Sequence, residues 1–98
     1  MSESELLIRL WEQVERDVHS AGGSISKPPS FSLNAQARHL LAFIEMLPTN
    51  ALPGLLYRID LPERELFSAA ILSGGLEQLV WSILRREALK VAYRLRFS

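Results

Sequence analysis

The sequence has no cysteine, only two histidines and no excess of charge of either sign. Without cysteine the chain has no disulfide, no thiolate metal ligand and no cysteine nucleophile, which fits a reducing compartment. Eleven Lys and Arg residues balance eleven Asp and Glu residues, so net charge provides no general attraction to nucleic acid or anionic lipid. These absences exclude several classes of site and leave the fold open.

Long hydrophobic runs are also missing. The uncharged run at residues 67–76 has ten residues and contains a Gly-Gly pair, whereas a membrane-spanning helix needs about 20 apolar residues. Residues 39–57 are long enough, but one glutamate and two prolines interrupt them. The acidic start, with Glu3 and Glu5, is unlike a secretory signal. We therefore expect a cytoplasmic protein without membrane insertion.

The apolar pattern predicts a small all-α bundle of four main helices and one short helix, in a single domain over residues 1–98. In the first helix, Ser2 and Glu5 form a capping-box pattern, and Gly22-Gly23 provides a left-handed stop. The residues predicted to share its buried face are Leu7, Leu10, Trp11, Val14 and Val18.

Residues 20–33 are rich in Gly, Ser and Pro and predict a long loop, with Ile25 and Phe31 as its anchors to the body. The second helix should run over residues 34–47, capped by Ser32 or Asn34. It is apolar almost all round, which is typical of a buried helix, so we expect it to be the central element.

The secondary structure of residues 49–59 is ambiguous from the sequence. Asn50 and Pro53 favour a short helix, whereas Tyr57, Ile59 and Leu61 alternate with charged residues as in a strand. We adopt the helix. Asp60 then caps a further predicted helix, which ends at Gly74-Gly75.

The last segment meets no helix breaker between Leu76 and Ser98, so one long helix is predicted there. A strand over residues 89–97 is the alternative, because apolar and basic residues alternate in that stretch. A strand needs partners, and only the weak pattern at residues 55–61 offers one.

Candidate catalytic residues are few, and each has a simpler explanation. His19 lies on the charged side of the first helix and His39 at the edge of the apolar arc of the second, without metal or nucleophile spacing. Glu63 and Glu65, with Asp60, suit a helix start. Residues 22–27 resemble a phosphate-binding loop only faintly, since they follow a helix and lack its Gly-Lys-Ser/Thr ending. We expect no catalysis, no cofactor and no metal.

Charge is unevenly distributed along the chain. Residues 1–20 hold five acids and two bases (net −3), and residues 85–98 hold five bases and one acid (net +4). On a helix Arg86, Lys90 and Arg94 form a row about 12 Å long. Three interpretations of this row are open. It is a solvated face, it meets the acidic face of the first helix within one chain or between two chains, or it contacts nucleic acid. The last is the least favoured, because the chain is neutral overall.

We therefore expect a protein-interaction or assembly domain. Four side chains fall off the main apolar stripe or lie at its end and are candidate interface anchors: Trp81, Tyr93, Leu95 and Phe97. The alternative is that they pack beneath the loop. A symmetric homodimer is the default assembly, with another protein as the other possible partner. A nucleic-acid-binding module that uses Arg86, Lys90 and Arg94 is the alternative function.

Overall fold

The computed structural model describes residues 2–61, 64 and 75–97, and every regular element in this part of the chain is helical. The elements in chain order are α1 (Glu3–Ser20), α2 (Leu33–Met46), a 3-10 turn (Thr49–Ala51), α3 (Leu52–Ile59) and α4 (Gly75–Phe97). The predicted small all-α bundle is confirmed. The helix predicted between Asp60 and Gly74, with Glu63 and Glu65 in its first turn, lies mostly outside the described residues.

Both ends of α1 follow the local signals in the sequence. The Ser2 hydroxyl oxygen accepts a hydrogen bond from the Glu5 backbone N–H at 3.2 Å. At the other end Gly22 adopts a left-handed φ of 91°, and the Gly23 N–H donates to the Val18 carbonyl at 3.0 Å. This pattern satisfies carbonyls that the end of a helix leaves free, as the Gly-Gly pair predicted.

Helix α2 begins one residue earlier than predicted, because Ser32 is its cap and accepts from the Ala35 N–H at 3.2 Å. Its Leu40 and Ile44 are buried, but Leu33 and Met46 are exposed, Met46 to 85%. The expectation that this helix is the central element is wrong. Among the described helices, α4 packs against all three others and holds that position.

The short helix adopted for residues 49–59 is confirmed as a 3-10 turn followed by α3. Asp60 ends α3 in the left-handed conformation, with φ 72°. The N–H groups of Asp60 and Leu61 donate to the carbonyls of Tyr57 and Leu56. The prediction that Asp60 opens the next helix therefore missed its role at the end of α3. The reason is that Asp suits an N-cap and also tolerates the left-handed conformation.

Helix α4 continues to Phe97, so the alternative strand over residues 89–97 is wrong. Its first half lies at the centre of the core, where Leu79 and Ile83 face Trp11 of α1, Leu40 of α2 and Leu56 of α3 in one cluster. Burial of each such side chain contributes about 1.5–3 kcal/mol, which outweighs helix propensity as the source of stability.

The loop between α1 and α2 is held to the body at several points. Ile25 and Phe31 pack against the core as predicted. The buried Gln36 side chain donates to the Leu7 carbonyl at 3.0 Å and to the Phe31 carbonyl at 2.8 Å, so it joins α1, the loop and α2. Lys27, from the segment that resembles a phosphate loop, forms an ion pair with Glu15 at 3.2 Å.

Candidate interaction surfaces around the last helix

The four predicted anchors are all exposed, and the structure separates them into two pairs. Trp81 and Leu95 are 43% and 40% exposed, and Tyr93 and Phe97 are 66% and 63% exposed. At about 100° per residue, the members of each pair lie about 40° apart on α4, and the two pairs lie more than about 100° apart. The four candidate anchors therefore belong to two surfaces, and neither is covered by the loop.

The first surface contains an apolar groove at the end of the bundle where α1 begins and α4 ends. Its volume is about 670 Å³. The apolar lining comes from three helices: Leu6, Leu7 and Leu10 of α1, Leu33 of α2, and Ala88, Val91, Ala92 and Leu95 of α4. Glu3 and Arg96 are its two charged residues. The short side chains of Ala88 and Ala92 leave the space that larger residues on that face of α4 would fill.

A smaller cavity of about 260 Å³ adjoins Trp81. Its walls are formed by Asn34, Ala37, Arg38 and Leu41 of α2 and by Glu77, Val80 and Trp81 of α4. Leu33 and Asn34 are consecutive residues, so the first turn of α2 separates this cavity from the groove. We call the exposed apolar residues around both depressions, Leu6, Leu33, Trp81 and Leu95, the groove face.

The second surface lies on the opposite side of α4. Leu89, Tyr93 and Phe97 are exposed and recur every four residues, so they form one ridge, which we call the outer strip. The ring centroids of Tyr93 and Phe97 are 4.6 Å apart. The Arg96 guanidinium lies 5.5 Å from the centroid of the Phe97 ring. A depression of about 500 Å³ beside the strip is lined by Arg86, Leu89, Lys90, Tyr93 and Arg94.

The basic row of α4 is largely engaged inside the chain. Arg86 forms an ion pair with Asp60 at 2.6 Å, and Lys90 forms one with Asp17 of α1 at 2.7 Å. Lys90 thus pairs with one acid of the first helix within the chain, but that acid, Asp17, is buried and does not belong to the exposed acidic face of the helix. In the described part of the chain, no ion pair includes Arg94.

A buried polar cluster lies where α1 and α4 cross, and sequence reasoning missed it. Asp17 accepts from the Gln13 amide at 3.3 Å and from Lys90 at 2.7 Å. Glu87 is wholly buried, and its Oε1 lies 3.2 Å from Lys90 Nζ. Lys90 also donates to the Arg58 carbonyl of α3 at 3.3 Å, so the cluster connects three helices. Two carboxyl groups therefore share a single ammonium group.

This imbalance shifts the pKa values of the two acids in opposite directions. Burial, together with the adjacent Asp17 carboxylate, raises the pKa of Glu87 to about 8, although Lys90 opposes the rise. Burial would also raise the pKa of Asp17, but the neighbouring Glu87 carboxyl group and the hydrogen bonds from Lys90 and Gln13 outweigh it and lower the pKa. Glu87 consequently holds a proton at neutral pH, and neither of its carboxyl oxygens has a hydrogen-bond partner among the described residues.

A carboxyl group that titrates near pH 8 has the chemistry of a general acid or base. The Glu87 side chain has no exposed surface, however, so a substrate has no access to it in this conformation. The cluster did have a signal in the sequence. Asp17 and Glu87 fall on the apolar faces of their helices, beside Val18 and Leu84 respectively. A charged residue on an apolar stripe indicates a buried partner.

Neither histidine is placed as a catalytic base. His39 Nε2 lies 2.9 Å from the Ser26 carbonyl oxygen and 3.0 Å from the Ser26 hydroxyl. Because a carbonyl only accepts, Nε2 carries the hydrogen and does not act as a base toward that hydroxyl. The His39 ring also packs edge-on against the Trp11 ring, with the two ring centroids 5.6 Å apart. His19 lies exposed in the last turn of α1.

Residues 2–61, 64 and 75–97 contain no group of three or more His, Asp or Glu side chains arranged to hold a metal ion. In the same ranges no single helix has the length and hydropathy needed to cross a membrane. Only α2 taken together with the segment Thr49–Ile59 reaches that length and hydropathy, and these two parts are bent by 116° relative to each other.

Comparison with known proteins found no matching family model, no matching curated protein and no matching solved structure.

Proposed function

We propose that the chain is a non-catalytic assembly domain of the cytoplasm that forms a homodimer through its groove face. The observation that carries this proposal is the open apolar groove of about 670 Å³ with exposed Leu6, Leu33 and Leu95 at its edges. Apolar surface left open to water at this scale favours association, because removing it from water stabilises a complex. Trp81 is of the residue type that most often dominates interface energetics.

Charge favours a second copy of the same chain as the occupant. The groove lies between α1, whose segment 1–20 has a net charge of −3, and the end of α4, where residues 85–98 have a net charge of +4. A two-fold axis parallel to these helices places α1 of one protomer opposite α4 of its partner. Glu3 then faces Arg96 across the interface. A two-fold axis perpendicular to the helices would instead place α1 opposite α1 and α4 opposite α4. Repulsion between like charges disfavours that arrangement.

The nucleic-acid alternative depends on a free basic row, and the ion pairs of Arg86 and Lys90 count against it. A protein that follows a phosphate backbone gains affinity from every cation that displaces counterions. Two of the three expected contacts would first have to break an internal pair. Binding to random duplex DNA is accordingly expected to be no tighter than about 10⁻⁴ M at physiological salt.

Sedimentation of purified protein at tens of micromolar is the direct test. The expected species has twice the 11.1 kDa mass of one chain. Trp81→Ala and Leu95→Ala should each weaken the dimer by at least about tenfold, the effect expected of an interface anchor. Tyr93→Ala is the matched control, since Tyr93 is exposed on the other side of α4. Circular dichroism checks that each variant stays folded.

A charge exchange tests the proposed axis. Glu3→Lys and Arg96→Glu should each weaken the dimer, and the double variant should restore it, because the two charges face each other between protomers. A wild-type monomer at these concentrations would refute the dimer. An equal effect of Tyr93→Ala would refute the groove face as its interface. A dimer in which the double variant is no better than the single ones would refute the parallel axis.

A further inference from the structure

The outer strip is too apolar for a face whose only contact is water. Leu89, Tyr93 and Phe97 expose 56%, 66% and 63% of their surfaces, in successive turns of one helix. Tyr93 and Phe97 already contact each other, so the strip is a preformed ridge of about 12 Å in length. Immobilising these rings costs little further entropy, because an aromatic side chain has only two rotatable bonds.

Cations border the strip on both sides. Arg85 and Arg96 lie on one side by helical position, and Lys90 and Arg94 lie on the other. The single acid of this segment, Glu87, is buried and adds no charge to the surface. An apolar ridge between two basic borders complements a surface that is apolar along its centre and acidic along its edges.

We propose that the outer strip binds an acidic amphipathic helix of a partner protein. An apolar side chain of that helix enters the depression of about 500 Å³ bounded by Leu89 and Tyr93. Glutamate or aspartate side chains on either side of its apolar seam pair with Arg94 and Arg85. The spacing of the strip, one anchor every four residues, matches the spacing at which a helix presents its own apolar residues.

Shape and charge favour a helix over the other anionic partners. A bilayer presents a plane, whereas the depression beside Leu89 and Tyr93 is concave and accepts a projecting side chain. A nucleic-acid strand would need the basic row, in which Arg86 and Lys90 already pair with Asp60 and Asp17. A peptide needs only one or two free cations on each side.

The strip and the groove face lie on different sides of α4 by helical position, and Arg96 lies between them, because it lines the groove and also contacts the Phe97 ring. Arg85 and Arg94 do not line the groove, so the charge-reversing variant is made at these two positions and not at Arg96, and sedimentation of the variant shows whether the dimer persists. Failure of one proposal therefore does not entail failure of the other.

The test uses a synthetic helical peptide of about five turns with a Leu/Phe seam at four-residue spacing and glutamates along both edges. Binding to the full chain is measured by fluorescence anisotropy at low salt. A twin peptide with lysine in place of every glutamate should bind at least about tenfold more weakly, as expected from several exposed ion pairs. The double variant Arg85→Glu/Arg94→Glu should reverse that preference. Tyr93→Ala/Phe97→Ala should weaken the glutamate peptide by at least about tenfold.

Three results would overturn the assignment. The first is no saturable binding of the glutamate peptide up to about 1 mM. The second is a preference between the two peptides that the Arg85→Glu/Arg94→Glu variant leaves unchanged. The third is tighter binding of a 20-nucleotide poly-dT strand, or of vesicles containing phosphatidylserine, than of the peptide. Circular dichroism and sedimentation of each variant confirm that the fold and the oligomeric state are those of the wild type.

Discussion

The two halves of α4 have similar side chains and opposite surroundings. In residues 75–84, Leu79, Val80, Ile83 and Leu84 are at most 2% exposed. In residues 85–97, the large apolar residues Leu89, Tyr93, Leu95 and Phe97 are 40–66% exposed. The first half of α4 thus gives four buried apolar residues to the core, although its Leu76 and Trp81 are exposed, whereas the second half buries only Glu87 and Val91.

Length explains the difference better than composition does. Helix α4 has 23 residues and extends about 35 Å, whereas α2 has 14 residues and extends about 21 Å. The first half of α4 is packed against α1, α2 and α3, whereas the second half has neighbours along one side, where Val91 is buried, and its other side, with Leu89, Tyr93 and Phe97, faces solvent. An apolar side chain is buried only where another element covers it, so the same residue types become a core in one half and contact surfaces in the other.

The largest contrast between the halves should appear in stability. Ile83→Ala removes a side chain with no exposed surface and should lower the free energy of unfolding by about 2–5 kcal/mol. Leu89→Ala, the matched change in the second half, should cost no more than about 0.5 kcal/mol. Urea titration of both variants makes the comparison. Similar losses would mean that the outer strip is packed in solution.

The proton on Glu87, at the junction of the halves, should make stability depend on pH. Its pKa rises from 4.5 to about 8 on folding, so folding takes up a proton between these values. The stabilisation is complete below pH 4.5 and is lost as pH rises through 8. Asp17, whose pKa is lowered, acts in the opposite sense: its contribution is present above its ordinary pKa of 3.8 and is lost on acidification.

Glu87→Gln should therefore stabilise the protein at pH 7 by on the order of 2–3 kcal/mol, because an amide needs no proton to remain neutral. The gain should vanish near pH 4.5, the ordinary pKa of the carboxyl. Urea titrations at pH 5, 7 and 9 measure it, and Glu77→Gln, an exposed change on the same helix, is the control. An unchanged pH dependence in the Glu87 variant would show that the proton is held elsewhere.

A small effect is also expected for the ion pair at the start of the second half. Asp60 is 74% exposed in its pair with Arg86, and an ion pair in such surroundings contributes little. Arg86→Ala should lower the free energy of unfolding by less than about 1 kcal/mol, and added salt should reduce the difference. Arg85→Ala provides a baseline for the loss of one surface arginine. A larger, salt-independent loss would show that Arg86 packs into the core.

Features governed by neighbouring residues were the ones that sequence predicted well. The bond between Ser2 and Glu5 and the left-handed Gly22 depend on contacts within a few residues, so their residue types carry the information. The continuation of α4 through residues 89–97 followed from the good helix formers there and from the lack of a partner for a strand.

Features that depend on distant segments were not predicted. Asp17 and Lys90 are 73 residues apart, and nothing near either residue identifies the other. The apolar arc of α2 suggested a central helix, but centrality depends on how many neighbours a helix reaches, which its own pattern does not contain. The division of the four anchors into two faces is different, because it follows from helical spacing alone and could have been predicted from the sequence.

The anchored loop between α1 and α2 has a consequence for proteases. Its Gly-, Ser- and Pro-rich sequence is typical of a site of proteolytic cleavage. Cleavage requires a stretch of backbone to leave the body of the protein and extend in the active-site cleft of the protease. Removing residues 25–31 from the body breaks the Gln36 bond to Phe31 and the His39 bond to Ser26. The rate at which a protease cuts this loop is therefore set by the equilibrium in which the fold opens. Limited digestion would measure that opening and would not mark a domain boundary.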